Sequence, residues 1–204
     1  FIGNPSLSPE VTVTYEGGAD AALAGGEAQV SAVWFYQSFR DLIQFDAAIP
    51  GPAGFGQLNN VGNAFSRGVE AIASWRFTSA AGVVLTYTYT DTWASDQGRR
   101  ILGVPLQRGM ASFRLAPSPR FDGQVDWYVE SDMLDAPPNG GDIRRPGYAR
   151  VDVYGRYRFR PGTADFREIA LTGKVLNVLN RQYEARKGYP SPGITFLVGA
   201  ELSL

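Results

Sequence analysis

The chain has 204 residues, 19 Lys+Arg against 20 Asp+Glu for a net charge of -1, and neither cysteine nor histidine. That balance excludes the basic footprint of a nucleic-acid binder or of a protein drawn to an anionic membrane surface. The missing residues exclude disulfides, thiolate or imidazole metal sites, and Ser-His or Asp-His hydrolase chemistry.

In chain order, residues 1 to 9 are turn-rich, with breakers at Asn4-Pro5 and Ser8-Pro9. A strand is expected at 10 to 16, then a short Gly/Ala connector from Gly17 to Gly26. From 27 to 46 the pattern alternates, with Val30, Ala32, Trp34 and Tyr36 opposite Gln29, Ser31 and Gln37, and Arg40-Asp41 interrupts it near the far end. A long loop follows at 47 to 60. The strand at 61 to 77 places Val69, Ala71, Ala73, Trp75 and Phe77 opposite Ser66, Glu70, Ser74 and Arg76. After a tight turn at 78 to 81, residues 82 to 93 set Val83, Leu85, Tyr87 and Tyr89 against Thr86, Thr88 and Thr90. A polar loop covers 94 to 103, a strand 104 to 116 and a turn 117 to 120. Residues 121 to 132 oppose Phe121, Val125, Trp127 and Val129 to Asp122, Gln124, Asp126, Tyr128 and Glu130. A loop at 133 to 147 leads to the strand 148 to 160, where Ala149, Val151, Val153, Tyr157 and Phe159 oppose Arg150, Asp152, Tyr154, Arg156 and Arg158. A turn at 161 to 165, a strand at 166 to 180, a loop at 181 to 192 and a last strand at 193 to 204 complete the chain. No helix of useful length is expected.

Connectors alternate in length, tight at 78–81, 117–120 and 161–165, long at 47–60, 94–103, 133–147 and 181–192. One face of each strand is apolar and aromatic, the other charged. No apolar run is long enough for a transmembrane helix, but a membrane strand needs only about 10 alternating residues. The last strand carries Ile194, Phe196, Val198, Ala200, Leu202 and Leu204 on one face, an aggregation hazard at a soluble sheet edge and a lipid-facing surface in a barrel. The fold expected is therefore all-β, an antiparallel transmembrane β-barrel. Single-chain bacterial barrels have even strand numbers, and nine strands are counted here. Residues 1–204 are accordingly expected to be the C-terminal portion of a larger barrel, an open wall in which the last strand pairs on its free side with a strand outside this chain. Phe1 is not an initiator Met, which fits processing or a longer protein. The alternative is one miscounted strand and a small closed barrel of eight or ten, acting as a passive pore or anchor. A membrane enzyme and a soluble β-sandwich binding module are the other classes open at this point.

Several motifs then resemble one family. Asn4-Pro5-Ser6-Leu7-Ser8-Pro9-Glu10 resembles the N-P-x-L-x-P-E motif of TonB-dependent outer-membrane receptors, the siderophore and cobalamin receptors. Asn63 with Ser66-Arg67-Gly68-Val69-Glu70, and Tyr87-Thr88-Tyr89-Thr90-Asp91, resemble two of its strands. Asn177-Val178-Leu179-Asn180 with Tyr183, and Tyr189-Pro190-Ser191-Pro192-Gly193, resemble its final segments, with Ile194 where the family has Arg. Gly199, Leu202 and Leu204 are similar to the C-terminal assembly signal of outer-membrane barrels, with Leu in place of the terminal aromatic. The resemblance implies a barrel of about 22 strands around an N-terminal plug that is not in this chain. It implies location in the bacterial outer membrane, among lipid and lipopolysaccharide. It implies energised uptake of a scarce small-molecule ligand such as a ferric siderophore or cobalamin, driven by a TonB-type energy-transducing complex acting through the plug. Neither an enzyme activity nor a cofactor is implied, and no nucleic-acid partner.

Most motif residues read as structural. Asn177 and Asn180 are expected to bond local backbone, and Glu70 to point inward. Ligand contacts are expected in the outer loops, at Phe55, Gln57, Asn59, Arg99, Arg100, Arg144, Arg145, Tyr183, Arg186 and Tyr189. Paired arginines suit anionic groups bidentately, whether a ligand's or lipopolysaccharide phosphates.

Overall fold

The computed structural model describes residues 3–46, 56–60, 62–135, 141, 143–160 and 167–203. In chain order its strands are β1 (Val11–Leu23), β2 (Ala28–Arg40), β3 (Ile43–Asp46), β4 (Gln57–Asn60), β5 (Ala64–Thr78), β6 (Ala81–Ala94), β7 (Gln107–Ser118), β8 (Phe121–Glu130), β9 (Met133–Asp135), β10 (Ile143–Arg145), β11 (Tyr148–Phe159), β12 (Glu168–Leu176), β13 (Glu184–Arg186), β14 (Tyr189–Pro190) and β15 (Thr195–Ser203). Nine form one antiparallel sheet in the order β1-β2-β5-β6-β7-β8-β11-β12-β15. The other six pair as three small hairpins, β3–β4, β9–β10 and β13–β14. Among the described residues no helix is long and apolar enough to cross a membrane.

Register turns the alternation of each strand into a continuous surface. One row of directly opposed residues reads Leu23, Ala28, Trp75, Val83, Phe113, Val125, Val153, Val175 and Phe196 across all nine strands. The row two residues away reads Ala21, Val30, Ala73, Leu85, Ala111, Trp127 and Val151. A slip of one residue would turn a strand's other face, which is charged on β5, β7, β8 and β11, into this band, so the pattern fixes the pairing. Most of these large apolar side chains are exposed, and Val198 reaches 92%. The fully buried core is correspondingly small, with Ala64, Ala94, Met133 and Ala170 its buried apolar members among the described residues. An apolar belt this long without a covering layer is what lipid-facing strands present.

The opposite face reads Gly18, Val33, Glu70, Thr88, Arg108, Glu130 and Tyr148 in one row, and Ser74, Val84, Ser112, Asp126 and Asp152 in another. Leu197 is an apolar member of this side, next to Lys174. A concavity of about 500 Å³ opens on it, lined by Gln29, Ser74, Arg76, Val84, Ser112, Arg114 and Gln124 from five successive wall strands. The sheet therefore curves toward its polar side. Arg158 pairs with Asp122 on the adjacent β8, and Arg156 reaches across β12 to Glu201 of β15 at 2.8 Å.

The nine-strand count and the meander agree with the sequence pattern, while several boundaries do not. The stretch 17 to 26 is not a connector: β1 runs on to Leu23 and only the 3₁₀ turn Ala24–Gly26 is left. Gly17 to Ala22 lack propensity, but residue-by-residue pairing with β2 from Gln29 to Trp34 carries them as strand. The 27 to 46 run is broken at Asp41, whose φ of 55° ends β2, and Ile43–Asp46 turns away to pair with Gln57–Asn60. Hairpins likewise occupy parts of the expected loops at 133–147 and 181–192. The sheet is open among the described residues, since β1 pairs with β2 and β15 with β12, and neither pairs with the other.

Gly68 shows why one motif position is glycine. A Cβ there would lie 1.9 Å from the Tyr89 carbonyl oxygen and 2.8 Å from the Phe35 ring, so backbone would have to move. Gly68→Val is expected to prevent assembly of the β2–β5–β6 register, read as loss of the folded band in a heat-modifiability gel. A folded Gly68→Val protein would refute the close approach.

Candidate functional site

The tight turns near 24–27, 79–80 and 119–120 lie at one end of the wall. The hairpins and longer connections lie at the other, and there the polar face gathers a cluster from β7, β8 and β11. Register places Arg108, Glu130 and Tyr148 in one row and Met110, Tyr128 and Arg150 in the next. Glu130, only 6% exposed, accepts hydrogen bonds from Arg108 Nε at 2.9 Å, from Tyr128 Oη at 2.7 Å, and from Arg145 Nη2. Arg145 is 0% exposed, donates to the Pro146 carbonyl at 2.8 Å, and lies 5.2 Å from the Tyr148 ring centre. Tyr148 stacks on Tyr183 at 4.2 Å, and Arg150 donates to Tyr183 Oη at 3.1 Å while covering the Tyr128 ring. Asp152 holds Arg150 at 3.2 Å and accepts the Asn177 backbone N–H at 2.8 Å. Two accessible guanidinium groups, Arg108 and Arg150, thus stand among stacked tyrosines, an arrangement suited to a flat, anionic partner.

The connection after β12 is built by its asparagines, as the sequence suggests. Asn177, buried with φ 52°, accepts the Arg181 N–H at 2.9 Å and donates to the Arg181 and Pro192 carbonyls. Asn180 accepts the Ile194 N–H at 3.1 Å, and a Cβ at Gly193 would sit 2.6 Å from Asn180 Oδ1, so a larger residue there would displace that side chain from its hydrogen bond.

The ten residues expected at the ligand divide into separate groups. Phe55 lies outside the described residues. Gln57 and Asn59 are strand residues of β4, and Asn59 Oδ1 accepts from Asn4 at 3.0 Å. The first motif is therefore a strap across the β3–β4 hairpin. Ser8 N–H donates to Asn60 Oδ1 at 2.8 Å, Asn60 donates to the Ser8 and Asp41 carbonyls, and Glu10 accepts the Ile43 N–H at 3.0 Å. Asn60→Ala should loosen this hairpin by about 1–2 kcal/mol, measured as faster amide exchange at residues 43–46. Unchanged exchange would show that the strap does not hold it.

Arg99 pairs through its backbone with Ala94, and Arg100 reaches Asp91 at 3.1 Å on the apolar side of β6. Arg144 holds Asp132 at 2.7 Å; that bond, opposed by partial burial and helped by the charges of Arg144 and Arg100, keeps the Asp132 carboxyl below its ordinary value. The stabilisation from this pair is present above the unfolded carboxyl's range and is lost as pH falls through the lowered value. Arg186 and Tyr189 face each other across the β13–β14 hairpin and are exposed. Of the nine that are described, Arg145 and Tyr183 join the cluster. Sequence reasoning missed Arg108, Tyr128, Glu130, Tyr148 and Arg150, because it sought ligand contacts in loops. The signal was present, since all five occupy polar-face positions where their strands meet long connections.

The hairpins also dock on one another. Asp135, 1% exposed, accepts the Lys187 N–H at 2.7 Å and faces Arg186 at 3.7 Å, joining β9 to the β13–β14 turn. On its other side the Leu134 carbonyl accepts the Gly103 N–H at 2.8 Å.

An apolar belt, a charged inner curve, next-neighbour antiparallel pairing and loops massed at one end define the wall of a membrane β-barrel. The profile described as TonB dependent receptor-like, beta-barrel, matches residues 1–178, and the chain belongs to this family. Solved structures agree on the fold. The copper transporter OprC superposes with TM-score 0.77 at 19% identity over 95% of this chain and 32% of its own. The siderophore receptor PirA from Acinetobacter baumannii gives TM-score 0.73 at 16% identity, over 95% and 32%. The ferric-catecholate import receptor Fiu from K12 E. coli gives TM-score 0.72 at 17% identity, over 95% and 28%. The chain thus spans about a third of the length of these proteins. They are transporters and receptors rather than enzymes.

Proposed function

We propose that this chain is the C-terminal wall of a TonB-dependent outer-membrane receptor of about 22 strands, working in energised uptake of a metal chelate such as a ferric siderophore or cobalamin. An N-terminal plug and the remaining strands complete the barrel, and a TonB-type complex acts through the plug. The observation that carries the reading is the cluster of Arg108, Arg150, Tyr128, Tyr148 and Tyr183 on the polar face at the loop end, in a chain of this family. Guanidinium groups draw anionic chelates, and stacked rings offer them flat contact. Of the loop residues, Tyr183 contributes directly and Arg145 braces the cluster through Glu130.

Binding and uptake of radiolabelled ferric siderophores by cells carrying the full-length receptor test this. Arg108→Ala with Arg150→Ala should weaken binding about 10–100-fold, as loss of charged anchors does, with receptor abundance unchanged. Dissipating the proton gradient should stop uptake and leave binding. Uptake that ignores the gradient points to a passive pore instead, and undiminished binding by the double variant removes the cluster from the site.

A further inference from the structure

Tyr183 reaches the ligand cluster from outside the wall. Register fixes Arg108, Tyr128, Tyr148 and Arg150 on wall strands, whereas Tyr183 precedes β13 on the connection between β12 and β15. Its ring stacks on Tyr148 at 4.2 Å with 16° between the planes, and its Oη accepts from Arg150 Nη1 at 3.1 Å. Its carbonyl accepts the Ser191 N–H at 3.0 Å and closes the base of the β13–β14 hairpin. The ring therefore goes where the hairpin goes.

That hairpin is too small to hold itself. It sets three residues against two, with a register shift between Glu184 and Arg186. Ala185, Arg186, Tyr189 and Pro190 are exposed, and a lone two-stranded ribbon is marginal in water. Asp135 meets its tip, accepting the Lys187 N–H at 2.7 Å and facing Arg186 Nε at 3.7 Å. The carboxylate is 1% exposed. Burying an acid costs stability unless it is held, and here the backbone of the hairpin tip is one of the groups that hold it.

Asp135 is itself tied to the wall. On β9 it stands opposite Ile143, while Met133 stands opposite Arg145, the buried partner of Glu130. The Leu134 carbonyl adds the Gly103 N–H at 2.8 Å. The contacts close a ring. It runs from Glu130 through Arg145, β10 and β9 to Asp135, across to Lys187, down β13 to Tyr183, and back to Tyr148 and Arg150 on the wall. Cut at Asp135, the hairpin keeps its base and loses the hold on its tip. A ring that must be ordered at the moment of binding lowers affinity by the fraction of time it is out of place.

We propose that Asp135 is a positioning residue for the ligand cluster: by holding the tip of the β13–β14 hairpin it keeps Tyr183 stacked before a ligand arrives. The proposal rests on the uptake reading above.

The test uses the full-length receptor in lipid vesicles with fluorotyrosine incorporated at position 183, read by fluorine NMR, together with binding of a ferric tris-catecholate. Wild type and Asp135→Asn, which keeps an oxygen acceptor for the Lys187 N–H, should give one resonance displaced by ring stacking. Asp135→Leu should add a second resonance at the position of an exposed tyrosine. Lys187→Pro, which removes the donor N–H from the loop side and leaves Asp135 in place, should do the same. Asp135→Leu should weaken tris-catecholate binding about tenfold, the worth of one stacked ring, and Asp135→Asn by less than about twofold. In a Tyr183→Ala background Asp135→Leu should cost nothing further, whereas a general loosening of the loops would still add its loss. A resonance that stays fully stacked in Asp135→Leu or Lys187→Pro overturns the proposal, and so do additive losses in the Tyr183→Ala background. Wild type that binds no ferric chelate of any class counts against the uptake reading instead, and the resonance then decides by itself whether Asp135 places Tyr183.

Discussion

Glu130→Ala is expected to destabilise the folded barrel by about 3–5 kcal/mol, the range for breaking a buried ion pair from one side. The carboxylate is the shared acceptor of Arg108, Arg145 and Tyr128. Arg108 can turn to solvent, but Arg145 cannot, because it is enclosed by the β9–β10 hairpin and the Tyr148 ring. What remains for its charge is the Pro146 carbonyl. Arg145→Met alone should cost less, since Glu130 keeps Arg108 and Tyr128. The double variant should be closer to Arg145→Met than to the sum of the two, a coupling that a double-mutant cycle of urea unfolding in lipid vesicles measures directly. Additive losses would show that the pair does not act as a unit.

The second large effect separates the two faces. Leu85→Arg and Val153→Arg each put a cation in the apolar band and should cost about 2–4 kcal/mol where the strand crosses the middle of the bilayer. Leu85 lies between Ala73 and Ala111, and Val153 between Val125 and Val175, with no acid opposite either. Thr88→Arg should be far milder, because Thr88 stands between Glu70 and Arg108 on the polar face and gains a carboxylate partner. The same vesicle unfolding assay compares the three. Equal penalties on both faces would refute the assignment of lipid and lumen.

Period-two alternation was enough to count the wall strands and to assign their faces, because each strand of this sheet has one apolar and one polar side. It failed at residues 17 to 22. There the side chains are small and the strand is held by a partner, so nothing local marks it. It failed again inside the loops, where short hairpins such as Ile43–Asp46 with Gln57–Asn60 depend on Asp41 leaving the extended conformation and on a strap from residues 4 to 10. The cluster was less legible than the fold. Loop position drew attention to Arg145 and Tyr183, whereas Arg108, Tyr128 and Arg150 are ordinary polar-face residues until register sets them side by side. Glycine at 68 could be read as a motif letter, but its reason, the passage of Phe35 over the strand, is a property of the paired sheet.

The meander has a consequence in time. Every ladder of the large sheet joins successive wall strands, with a small hairpin intervening only between β2 and β5, β8 and β11, and β12 and β15, so each new strand closes a short segment of chain against an edge already in place. The entropy of closure grows only with the logarithm of the enclosed length, and here it is met in small instalments rather than at one distant contact. Such a wall can be laid down course by course, with each finished course protecting the backbone of the one before it from hydrocarbon. The three outer hairpins set only after the courses beneath them, so the Arg145–Glu130 lock and the Asp135 junction between loops belong to the last act of folding rather than to its nucleus.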